Sequence, residues 1–102
     1  MPLTTEELDS FAGGLIRQAE DPNSVPITAG VYLLDIAHII VESDGSALSN
    51  AEQVHGMEKL LHKVLKAKIA RMSDLDELDA AKAANVVGER LWQYAKANPR
   101  ER

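Results

Sequence analysis

Two carboxylate-x-x-histidine pairs, Asp35-x-x-His38 and Glu52-x-x-His55, are the residues whose types and spacing best suit chemistry. An acid and a histidine three positions apart share one face of a helix, and such pairs on facing helices build helical di-metal carboxylate sites. His55, Glu58 and His62 also line one flank of the helix expected after residue 50. Against a metal, Glu52 projects away from the apolar stripe of that helix, and bridged metal sites draw more inward carboxylates than these. The preferred reading has Asp35 and Glu42 bracketing His38 as local hydrogen-bond partners, with His55 and His62 at the core boundary and no metal or cofactor held. A metal-carboxylate protein using Asp35/His38 and Glu52/His55 is the rival that this spacing keeps open.

Nucleophilic catalysis has less to build on. The chain contains no cysteine, no glycine-rich phosphate loop and no serine in a nucleophile-elbow context. His38 beside Asp35 resembles part of a triad, but no serine or threonine can be assigned to it by spacing. The expectation is a protein that is not an enzyme.

Residues 59–71, KLLHKVLKAKIAR, carry five bases and no acid, so a nucleic-acid-binding helical module is a second rival. No aromatic residue in that run could stack on bases, and the acids from Asp74 onward would repel phosphate. A solvated face paired with the protein's own acidic half is preferred.

Acids are also concentrated. Glu6, Glu7 and Asp9 open the first helix, and Asp74, Asp76, Glu77 and Asp79 crowd the start of the fourth. The helix dipole favours anions there, but four within six residues exceed what capping needs. Trp92, one of four aromatics, projects away from the Ala84-Val87-Leu91 face, and tryptophan is enriched at binding hot spots. Asp74, Asp76, Glu77, Asp79 and Trp92 are therefore the expected partner-binding residues, for a protein partner with a basic surface.

These residues need elements to hold them. At 102 residues and 45% hydrophobic, the chain 1–102 fits one domain with one core. The spacing predicts an all-α bundle of four helices over about 5–19, 28–43, 50–72 and 74–97. Leu3-Thr4-Thr5-Glu6-Glu7-Leu8 reads as a capping box with a hydrophobic staple, Thr28 as the cap of the second helix, and Ser49-Asn50-Ala51-Glu52 as the start of the third. Gly13-Gly14 inside the first helix suggests close packing against a neighbour. The stretch TAGVYLLDIAHIIVES, 28–43, is apolar on nearly all sides of a helix, which predicts that the second helix is the buried centre. The inward stripe of the third is Val54, Met57, Leu61, Val64, Leu65 and Met72, interrupted by Lys68.

Charge is divided along the chain. Residues 1–58 hold ten acids and Arg17 as their one base, whereas 59–102 hold ten bases and six acids. With no cysteine, no charged-then-apolar leader at Met1 and no apolar run of about 20 residues, a cytoplasmic protein without a membrane span is expected. Size, acidity and missing chemistry together favour a non-catalytic protein-binding module. It would be a small acidic regulator or inhibitor of a larger assembly, a class that includes mobile-element inhibitors of host nucleases or immune complexes, anti-CRISPR-like in kind. Self-association as a homodimer is left open.

Overall fold

A computed structural model describes residues 3–27, 30–43 and 51–99, leaving aside the side chains of residues 43, 51–53, 72 and 73. The described residues form four helices and no strand: α1 (Thr5–Glu20), α2 (Leu33–Ser43), α3 (Ala51–Ser73) and α4 (Glu77–Ala97). The all-α fold is the one the periodicity predicts.

Local chemistry explains the helix starts. At α1 the Thr4 hydroxyl accepts from the Glu7 N–H at 3.2 Å while the Glu7 carboxylate accepts from the Thr4 N–H at 3.3 Å. Two backbone donors that the helix leaves orphaned are thereby satisfied. Leu8, Ala12 and Leu15 form the buried stripe of this helix. The double glycine is not explained by packing: a Cβ added at Gly14 would meet no atom within 4 Å, and one at Gly13 would meet only the Arg17 guanidinium at 3.7 Å.

The second helix starts later than expected, at Leu33 rather than at residue 28. Tyr32 occupies the cap position, its N–H donating to Asp35 Oδ2 at 3.1 Å and its carbonyl accepting from the Ile36 N–H at 3.2 Å. Asp35 thus plays the acidic half of a capping box from inside the first turn. Upstream, Gly30 has a φ of 81°, a conformation that costs glycine little and other residues more. The Ile27 N–H reaches the Val31 carbonyl at 3.2 Å, and the Tyr32 hydroxyl donates to the Ser24 carbonyl at 2.5 Å. The connector is thereby closed into a turn. Thr28, the expected cap, and the Ser49-Asn50 cap of α3 lie outside the described residues.

Between α3 and α4 the acids have structural work. Asp74 has a φ of 49°, in the left-handed region that Asp and Asn enter more readily than most residues, and it ends α3. Asp76 caps α4 by accepting from the Asp79 N–H at 2.8 Å. The fourth helix therefore begins at Glu77, not at residue 74.

All four helices contribute to the core, and the second and fourth are the most connected. Both pack against all three other helices, whereas α1 and α3 flank them without touching one another among the described residues. The expectation of a single central helix at α2 is thus modified. The largest fully buried side chains are Leu65, Ile69, Val87 and Leu91, on α3 and α4. The α2 core residues are Leu33, Leu34, Ile36 and Ala37, from its first half, while Ile39, Ile40 and Val41 are half-buried. Ile69 carries the α3 stripe past Lys68. On α4 the buried positions Ala80, Ala83, Ala84 and Ala95 are small, which lets neighbouring helices approach on more than one side.

Three long-range polar contacts tie the ends. Arg90 Nε lies 2.7 Å from Asp9 Oδ1, joining the basic half to the acidic half. The Tyr94 hydroxyl donates to the Glu20 carboxylate at the end of α1. His38 bonds the carbonyl of Asn98 just beyond α4. No helix among the described residues is long and apolar enough to cross a membrane.

Candidate functional site

Asp35 and His38 do not converge. The Asp35 carboxylate turns back to the Tyr32 N–H, as above, whereas His38 is 6% exposed and places Nε2 2.9 Å from the Asn98 carbonyl oxygen. A carbonyl only accepts, so Nε2 is the donor in this bond. Nδ1 is buried and has no partner among the described residues. The local bracketing of His38 by Asp35 is therefore corrected: the partner of the imidazole is sixty positions away. His55 is exposed, and the side chain of Glu52 lies outside the described residues. Among the described residues no group of three or more histidines and acids is placed to hold a metal ion.

The basic face is partly engaged. Lys59 and Lys63 are exposed, but Lys66 Nζ sits 3.2 Å from the Glu77 carboxylate. His62 Nε2 lies 3.3 Å from the Ala81 carbonyl. These two contacts set α3 and α4 antiparallel, with residue 62 opposite 81 and residue 66 opposite 77.

The expected partner residues separate into two groups. Asp74 ends α3, Asp76 caps α4 and Glu77 is paired with Lys66, so three of the four acids have intramolecular roles. Asp79 is partly buried at the same helix start. Trp92 stands elsewhere, at the far end of α4, and it lines a cleft.

That cleft has the size of a binding site. It holds about 420 Å³ and lies where α3 begins and α4 ends, within the roughly 300–1,000 Å³ typical of ligand-sized clefts. One wall is α3, through Val54, Glu58, Leu61, His62 and Leu65. The other is α4, through Ala84, Asn85, Gly88, Glu89 and Trp92, and Ile40 of α2 also lines it. Gly88 is part of why the space exists: a Cβ there would stand 3.6 Å from Leu65 and 3.9 Å from Leu61.

The edge of the cleft is acidic: Glu58 and Glu89 are exposed there, and none of the described lining residues is a lysine or arginine. The antiparallel register puts Glu58 level with Asn85, one helical turn from Glu89, so carboxylates from both walls border one opening. Glu89 is held by the Gln93 amide, which donates to it at 2.9 Å. Trp92 has its indole N–H shut off from solvent and without a partner among the described residues, and the Lys96 ammonium stands 5.2 Å from the ring centroid.

Sequence reasoning identified Trp92 as standing off the main apolar face but did not assemble the cleft around it. The available signal was a second stripe, Ala84, Gly88 and Trp92, alongside the core stripe at the same helical spacing. Compared with protein-family models, curated proteins and solved structures, the chain has no significant match.

Proposed function

We propose that this protein is a non-catalytic protein-binding module, a small acidic regulator or inhibitor of a larger assembly, and that it engages its partner through the cleft between α3 and α4. The observation that carries this reading is the combination of a half-buried apolar lining, Ile40, Val54, Gly88 and Trp92, with acids on both walls. Apolar centre and charged rim are the anatomy of a protein interface, in which burial supplies affinity and the rim supplies steering. The partner surface therefore centres on Trp92, with the cluster at Asp74, Asp76, Glu77 and Asp79 left mainly to helix termination, capping and pairing.

The test is site-specific cross-linking in the native cell. A photoreactive residue at Asn85, exposed and on the cleft wall, should capture a defined protein, and one at Asn23, exposed on the α1–α2 connector, should not. Equal capture at both positions, or a discrete nucleic acid captured at Lys59 and Lys63 instead, would overturn the proposal.

A further inference from the structure

We infer that the cleft seats a short amphipathic basic helix of the partner, an inference that rests on the protein-binding reading above. Dimensions argue for this occupant. The α3 wall runs from Val54 to Leu65 and the α4 wall from Ala84 to Trp92, each roughly 12–16 Å long at about 1.5 Å per residue and offset along the axis by the register above. That length accepts two to three turns of a third helix, with apolar anchors at i, i+3 or i+4, and i+7, the pattern of helix-in-groove recognition. A volume of about 420 Å³ is more than one side chain fills.

Charge selects the sign of the flanking residues. An amphipathic helix lying between α3 and α4 brings the residues beside its apolar stripe to the two rims, where Glu58 and Glu89 stand. Lysine or arginine there completes ion pairs at the rim, and glutamate or aspartate meets like charge. The exposure of both acids keeps them solvated without a ligand, so the rim favours encounter and the sign of the partner more than depth of binding. Burial of the anchors against Ile40, Val54 and Trp92, the half-buried apolar residues of the lining, supplies the rest.

The chain has one tryptophan, and it lines the cleft, so its fluorescence reports on occupancy. The probe is a synthetic helical peptide of leucine and lysine with leucines at i, i+3, i+4 and i+7, titrated into the full chain at low salt. Controls are a scrambled peptide of the same composition, a leucine–glutamate counterpart and a simple long-chain alkylamine. The lysine peptide should shift the Trp92 emission saturably, with affinity falling as salt rises. Combined Glu58→Lys and Glu89→Lys should weaken it about ten-fold or more. Gly88→Ala, whose Cβ fits at ordinary contact distance and raises helix propensity, should weaken it several-fold while the fold is kept.

Binding by the scrambled peptide as tight as by the ordered one, or binding indifferent to both variants, would overturn the inference. Tighter binding of the alkylamine than of the peptide would replace the helix with a small cationic ligand. If Asn85 cross-linking captures a partner while the lysine peptide leaves Trp92 unmoved, the helical occupant is wrong and the protein-binding reading stands.

Discussion

His38 Nε2 lies 2.9 Å from the carbonyl oxygen of Asn98, so the middle of α2 holds the residue that ends α4. The same Asn98 caps its helix, its N–H reaching the Tyr94 carbonyl at 2.9 Å and its side-chain amide the same oxygen at 3.0 Å. Tyr94 in turn bonds Glu20. The ends of α1 and α4 and the middle of α2 are thus joined by side chains that are distant in sequence. This arrangement makes His38 a structural residue and sets the first expectation.

His38→Ala should destabilise the domain by about 2–4 kcal/mol, from a lost hydrogen bond and a cavity at a buried site. Hydrogen exchange should show the last turn of α4 opening first. The loss should be the same with chelator as with added zinc, manganese or iron, because Asp35 is committed to the Tyr32 N–H. A metal-dependent melting temperature that His38→Ala abolishes would return the di-metal reading to first place.

Leu91→Ala should cost about 2–5 kcal/mol on denaturant unfolding, as befits a side chain with no exposed surface at the centre of α4. Ile40→Ala, on the cleft lining and half-buried, should cost less than half as much. The reverse order would mean that the core is centred on α2 after all.

Gly14→Ala should stabilise the protein by about 0.5–1 kcal/mol. The site is interior to α1, helical in conformation and open around the added methyl, so the gain in propensity meets no steric opposition. Destabilisation of this size in thermal unfolding would show that the glycine serves a contact made only in a complex.

Tyr94 gives the fold an alkaline limit. Its hydrogen bond to Glu20, with burial and the Glu20 charge adding to it, holds the phenol above its ordinary 10.0. Ionisation is harder in the folded chain than in the unfolded one, so this stabilisation is fully present below about pH 10 and is lost as pH rises through the raised value. Tyr94→Phe should lower the melting temperature at neutral pH and leave a flatter alkaline dependence. A phenolate titration with both tyrosines at the ordinary value would contradict this.

Asp9→Ala should cost less than about 1 kcal/mol, and the cost should shrink in high salt. Asp9 and Arg90 are each about half exposed, at 50% and 49%, and exposed pairs of good geometry contribute little.

The features legible in the sequence are those whose physics is local. The Thr4–Glu7 box, the acidic starts and the 3.6-residue periodicity depend on groups within about four positions of one another, so four helices and the absence of a strand signal follow from spacing alone. Even there, apolar periodicity runs through residues that do not wind: Val31 and Tyr32 continue the pattern of α2, yet the Tyr32 N–H is taken by Asp35 and the helix begins after it. The tertiary structure decided what depends on distant residues meeting. It gave His38 a carbonyl from the far end of the chain, shared the centre between α2 and α4, and used Asp74, Asp76 and Glu77 in the joint between helices. It also set α3 beside α4 with Gly88 between them, opening a cleft at Trp92 that neither helix displays by itself. A helix carries the period of its faces in its own sequence, but which face meets which depends on the packing of all four at once.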